Sequence, residues 1–340
     1  MTELIAYLHG RKKWTPEQIP GNQLTQLNYA FAKIDQLDIV EPIPNLDRLD
    51  ALRALYPNLK VNISLGGWGA EGFSYAVESA SNRDVFTTNI VNFVSRHNFD
   101  GIDLDWEYPG NDLSGIRATP NDALNFQSFL EELRHKLDQH RSHYLLTSAV
   151  GGSPEILEAM GVAGNYAYTS ALDYINVMSY DLRGSWTNRT GHQTNLFNYD
   201  APDGDLSAQT AVQNLLDHHV PANKIIIGSA AYSRDWDGLA LRDHQAPLNQ
   251  LAAQKGTHTT PYGEVQTLIA AHPENYFWDD QAAAPYYYDG HRFMSFDDPK
   301  SVQAKTQFVL DHQLGGLMFW EQSLDPNADL VTAATAILSK

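Results

Sequence analysis

Short apolar, β-rich runs recur along the chain at 4–8, 27–32, 60–65, 101–106, 144–150, 174–180, 224–232 and 315–320. The segments between them, such as 84–97 and 121–140, place apolar residues three and four apart, the spacing of a helix with one buried face. In the second of these, Leu124, Phe126, Leu130, Leu133 and Leu137 are expected to form much of one face. Strand followed by helix, repeated in this way, argues for an α/β architecture, and eight rounds favour a closed (β/α)8 TIM barrel over an open sheet. The rhythm breaks once. More than 80 residues separate Tyr232 from Gly315, too many for one loop and one helix. We read 236–296, with its aromatic stretches Tyr276-Phe277-Trp278 and Tyr286-Tyr287-Tyr288, as a small α+β insertion between strands seven and eight. The barrel then comprises 1–235 and 297–340.

Composition narrows the partners. Of 340 residues, 23 are Lys or Arg and 41 are Asp or Glu, a net charge of -18, and no basic cluster stands out. Nucleic acid and anionic membrane surfaces are therefore disfavoured, and an uncharged polymer is compatible. With no cysteine, disulfides and thiolate chemistry are excluded, a metal site would have to rest on His and carboxylates, and no metal or cofactor is expected. The first residues, Met1 to Leu8, lack the basic region and apolar run of a signal peptide, and no stretch approaches the ~18 apolar residues of a membrane span. A soluble protein is expected.

The fourth run carries the chemistry. It reads Phe99-Asp100-Gly101-Ile102-Asp103-Leu104-Asp105-Trp106-Glu107. Residues two apart in a strand share a face, so Asp103, Asp105 and Glu107 should project together while Ile102, Leu104 and Trp106 point the other way. Strands of parallel barrels are normally apolar on both faces, and burying several ionised carboxylates costs several kcal/mol each unless they are paired. A solvated hairpin or a calcium loop would also use acids, but the apolar flanks and the missing glycine and ligand pattern of a calcium loop argue against both. Close carboxylates push one another's pKa values apart, leaving one protonated near neutrality beside one ionised, which is the arrangement glycoside hydrolysis needs.

The run resembles the Asp-x-x-Asp-x-Asp-x-Glu signature of glycoside hydrolase family 18, the chitinase family, with Asp100, Asp103, Asp105 and Glu107 in place. Ser64-Leu65-Gly66-Gly67-Trp68 is similar to the family's strand-three motif, and Met178-Ser179-Tyr180-Asp181 to that of strand six. Tyr232-Ser233-Arg234 resembles the end of strand seven, and Gly315 to Glu321 that of strand eight. The resemblance implies a chitinase acting on chitin or N-acetylglucosamine oligosaccharides by a retaining mechanism in which the substrate's own acetamido group replaces an enzyme nucleophile. It implies Glu107 as acid and base, Asp105 as holder of the acetamido N–H, Asp103 sharing a proton with Asp105, and Asp100 supporting the start of its strand. Tyr180 would bond the acetamido carbonyl, with Asp181 orienting the amide or sugar hydroxyls and Met178 lining the pocket. Trp320 is the expected floor under the reacting sugar. Trp68, Trp186, Tyr232 and Tyr7 are candidates for further stacking, Trp278 and Tyr286 weaker ones, and Arg234 either bonds sugar oxygens or forms an ion pair. A cis peptide between Trp320 and Glu321 is also implied. A catalytically silent chitin-binding lectin and an endo-β-N-acetylglucosaminidase acting on N-glycans are the alternatives. A secreted setting fits the substrate.

Overall fold

The computed structural model describes residues 2–140, 143–241 and 245–339. Eight strands close into a parallel barrel in sequence order: β1 (Glu3–His9), β2 (Gln26–Ala32), β3 (Lys60–Gly66), β4 (Gly101–Asp105), β5 (Leu145–Gly151), β6 (Tyr174–Met178), β7 (Ile225–Ala230) and β8 (Gly316–Trp320). The register runs Leu4 to Leu317 across the β1/β8 closure and Leu65 to Leu104 between β3 and β4. Outward-facing Leu4, Ala6, Leu8, Ile63, Leu65, Ile102, Leu104 and Trp106 bury against the surrounding helices in one continuous core. Inward-facing Ile5, Tyr7, Ile226 and Met318 form a smaller cluster inside the barrel. Much of the rest of the interior is polar: Gln26, Asn28, Asn62, Ser64, Asp103, Thr147 and Asn176 are all buried there. Such groups are tolerable only when they bond one another, and Asn62 Nδ2 donates to both Gln26 and Asn28.

The helix Ala80–Arg96 starts at Ser79, whose side chain accepts from the Asn82 amide, a cap contributing about 1 kcal/mol. In the helix Asp122–His140 the buried stripe is Phe126, Phe129, Leu130, Leu133 and Leu137. Leu124, expected on that face, is 52% exposed. At 3.6 residues per turn it lies nearly opposite Phe126, and Phe129 takes its place.

Three strands end earlier than their apolar runs suggest: β4 at Asp105, β6 at Met178 and β7 at Ala230. Beyond them the chain turns at the barrel rim, as Asp181 shows by its left-handed φ of 51°. Between β7 and β8 an antiparallel four-stranded sheet forms from Arg234–Asp237, Arg292–Ser295, Ala284–Tyr288 and Tyr276–Asp279, in that spatial order, with a helix at Tyr262–Ala271. Its first strand starts at Arg234, two residues before the expected boundary of 236. Trp236 and Phe293 centre one of its cores, and Val265, Tyr287, Met294 and Phe296 another. At its junction with the barrel, fully buried Lys305 and Asp297 pair at 2.8 Å. The same Asp297 oxygen accepts from the hydroxyls of Thr194 and Ser229 and the amide of Ala230.

Candidate active site

Asp103 sits mid-barrel on β4 and is fully buried. Its Oδ2 accepts from the Tyr7 hydroxyl at 3.0 Å and Ser64 Oγ at 2.7 Å; its Oδ1 accepts from Thr147 Oγ1 at 2.6 Å and Asn176 Nδ2 at 3.0 Å. Burial raises its pKa, and these four donors oppose the rise by stabilising the carboxylate. Both Asp103 oxygens are occupied by these donors, and its charge acts on Asp105. Asp105, one strand repeat further on, has its Oδ1 buried without a partner. Burial first, then the negative charges of Glu107 and Asp103, push its pKa well above the usual carboxylate range, with Lys33 pulling the other way.

The Gly66-Gly67 pair is a steric requirement of this point. The Gly67 amide donates to the Asp105 carbonyl at 2.8 Å. Gly66 has φ +119°, and a Cβ on it would lie 2.1 Å from that same oxygen. Only glycine fits there.

Glu107 follows β4 by two residues and is 9% exposed. Burial drives its pKa from 4.5 up to about 7; hydrogen bonding with Tyr108 and the charge of Lys33 oppose the rise, and Asp181 adds to it. A carboxyl that keeps its proton near neutrality is suited to general acid catalysis. The ring of Tyr180 closes over the interior, its hydroxyl 3.7 Å from Met318 Sδ. Burial, then the charges of Asp105 and Glu107, keep that hydroxyl protonated by raising its pKa well above 10. Met178 is half-buried beside it. Asp181 is bonded by Arg234 Nε at 2.6 Å, so Arg234 forms the ion pair that was one of its two expected roles. Asp100 accepts from the Val61 amide at the start of β3.

Trp320 ends β8 half-buried, stacked on Phe31 at 5.4 Å and 25° and met edge-on by Tyr7 at 5.6 Å. Tyr7 itself lies inside the barrel, 2% exposed, and its hydroxyl serves Asp103 instead of the rim. Tyr232 is likewise buried, edge-on to Tyr180 at 6.4 Å. Trp68 and Trp186 are 62% and 57% exposed. In the insertion, Tyr286 stacks between Phe277 and Phe293, and Trp278 packs under Lys300; both are occupied within or beside their own sheet. The peptides Trp320–Glu321, Glu107–Tyr108 and Ala30–Phe31 are cis.

The family model described as glycosyl hydrolases family 18 matches residues 3–325. The chain belongs to this family. It is 36% identical to Chitinase A1 of Niallia circulans over 86% of this chain and 45% of that protein. It is 32% identical to the oviduct-specific glycoprotein of Mesocricetus auratus over 91% of this chain and 47% of that one. The chain thus spans about half the length of these relatives. Among solved structures, a family 18 N-acetylglucosaminidase from Paenibacillus barengoltzii superposes with a TM-score of 0.90 at 31% identity, covering 99% of both chains.

Against the family 18 signature, several site residues went unnoticed in the sequence. Thr147 and Asn176 occupy inward positions of β5 and β6, and polar residues in otherwise apolar runs were the signal that could have found them. Phe31 lies within, and Lys33 just beyond, a register shift between Ala30 and Ala32 at the end of β2, which no alternation rule anticipates. Tyr108 lies in irregular chain past β4, just before the turn at Pro109, where no pattern marks it. No helix among the described residues is long and apolar enough to cross a membrane.

Proposed function

We propose that this family 18 chain hydrolyses β-1,4-linked N-acetylglucosamine polymers or oligomers with retention of configuration, the substrate's acetamido group acting as nucleophile. The observation that carries the reading is the pairing of Glu107, whose carboxyl holds a proton to about pH 7, with the buried, unpartnered Oδ1 of Asp105 two residues away. An unpaired buried acceptor is costly, and a turn of the Asp105 carboxyl toward the cleft would let an amide N–H on the reacting sugar satisfy it. Glu107 gives its proton to the glycosidic oxygen as the bond to the anomeric carbon breaks. The acetamido carbonyl oxygen attacks that carbon, forming an oxazolinium ion. Asp105 accepts from its N–H and offsets the growing positive charge, and Tyr180 donates to the acetamido oxygen. Water then opens the ring, giving its proton to Glu107. Asp103, held by four donors, fixes the charge pattern beneath Asp105, and Trp320 supports the sugar.

Following the anomer first formed from defined N-acetylglucosamine oligomers tests this. Initial β-anomer is expected, and initial α-anomer would exclude the mechanism. The likeness to the Paenibacillus N-acetylglucosaminidase across 99% of both chains favours, as a second reading, release of single sugars from a chain end; fragment sizes in the same experiment decide it. A lectin role predicts oligomer binding with no product, and an N-glycan-releasing role predicts cleavage of glycoproteins in preference to chitin oligomers.

A further inference from the structure

Basic side chains gather around Phe31, and the Glu321 carboxylate accepts from the His9 amide at 3.2 Å. Stacked on Trp320, Phe31 extends the aromatic floor toward β2. The Lys33 ammonium lies 5.3 Å from the Phe31 ring centre, and its Nζ donates at 2.5 Å to the carbonyl of Gly66, the residue pressed against the Asp105 backbone. That bond holds a half-buried cation at the cleft wall. His9 meets the same ring edge-on at 6.3 Å. The next turn of chain is tied to His9: the Arg11 amide donates to its Nδ1 at 3.3 Å, and the Lys12 amide to its carbonyl at 2.9 Å. Exposed Arg11 lies near enough for its charge to act on both His9 and Lys33.

In a chain with 41 acidic and 23 basic residues, cations normally find carboxylates. Among the described residues neither Lys33 nor Arg11 forms an ion pair. The Lys33 charge reaches Asp105 and Glu107 without pairing directly with either, and exposed Arg11 has no carboxylate partner among the described residues, so both cations remain open to an anionic group at the rim. A sugar lying on Phe31 would stack by its C–H face and present its substituents to these cations.

We propose that Phe31, Lys33 and Arg11 form a charge-selective sugar subsite beside Trp320, favouring an N-acetylhexosamine unit that carries an anionic substituent and rejecting one with a free ammonium. Its position in the cleft rests on the hydrolase reading above. An acetylated neutral unit is accepted through stacking alone. A deacetylated unit brings a like charge to Lys33, and a sulfate or carboxylate on the ring brings an opposite one.

Three N-acetylglucosamine tetramers test this, identical except at one unit adjoining the reacting sugar, which is N-acetylglucosamine, glucosamine or 6-O-sulfated N-acetylglucosamine. The substituted unit is placed in turn on each side. Cleavage by the parent and calorimetric binding to Glu107→Gln are both measured. On the side that stacks on Phe31, sulfate should exceed neutral and neutral should exceed amine by about 2- to 5-fold per step, the range of exposed charge pairs. In ~1 M salt, where screening acts within about 3 Å, the steps should shrink. The variant Lys33→Gln/Arg11→Gln should bind all three within about twofold. Equal cleavage of the three by the parent and equal binding to Glu107→Gln, on either side, would overturn the subsite while leaving the hydrolase reading intact. A charge ranking in binding without any cleavage would remove the hydrolase reading and keep the subsite.

Discussion

Replacing Glu107 by Gln separates what the residue does for catalysis from what it costs the fold. An unfolded glutamate gives up its proton near pH 4.5, whereas buried Glu107 keeps its own to about 7. Between these values folding takes up a proton, so stability falls as pH rises, by ~1.36 kcal/mol per pH unit. Over a span of about 2.5 pH units the loss reaches about 3 kcal/mol, complete above pH 7 and absent below 4.5. Gln keeps the length and much of the shape of Glu but cannot ionise, and it also removes a charge that raises the pKa of Asp105. The variant should therefore equal the parent in stability near pH 4.5 and exceed it by about 3 kcal/mol at pH 8. For a chain of this size, with an unfolding entropy of about 2 cal/mol/K per residue, that is a Tm difference of about 4 °C. Thermal unfolding followed by circular dichroism from pH 4.5 to 8 reads it, alongside loss of hydrolysis. A Tm gap independent of pH, or a parent more stable than the variant at pH 8, would refute the account of Glu107 as a carboxyl destabilised by burial.

Three further outcomes follow from other parts of the molecule. Trp320→Ala removes the ring shared by Phe31 and Tyr7 and should lower kcat/KM on chitin oligomers about tenfold or more; an unchanged value would show that the sugar rests elsewhere. Lys305→Met leaves buried Asp297 without its cation, and since the hydroxyls of Thr194, Ser229 and Ser301 and the amide of Ala230 still donate to it, the loss should sit near the lower end of the usual 3–5 kcal/mol, about 3. A urea midpoint yielding less than about 1 kcal/mol would show that those donors suffice without the cation. Oligomers lacking the N-acetyl group on the reacting sugar should be cleaved poorly, and rates equal to those of acetylated oligomers would eliminate the acetamido nucleophile.

The barrel was legible because each of its eight strands buries an outward apolar face against helices, and that demand writes itself into the chain as short runs such as 60–65 and 144–150. Alternation also placed Asp103 and Asp105 inward and Trp106 outward, where it stacks on Phe73. The rim was less legible. Tyr7 lies within β1 and Tyr232 two residues beyond β7, and whether a ring there faces solvent or the barrel interior depends on what it bonds; the hydroxyl of Tyr7 is committed to Asp103. Leu124 illustrates the opposite error, since an apolar residue on a helix need not lie on the buried stripe. Lys33 belongs to the same rim, and neither apolar spacing nor a motif marks a cation that reaches across to a neighbouring strand's carbonyl.

Arg234 opens the insertion's sheet opposite Ser295 and at the same time grips Asp181 beyond β6. The insertion is therefore not a detachable module hung on a finished cleft. An engineer who swaps this segment between relatives at the strand boundary exchanges one half of an ion pair in the cleft along with it. Grafts that retain Tyr232 to Asp237 from the host should keep the native Asp181–Arg234 pair, and those that cut at Ala231 should take whatever the donor carries at that position.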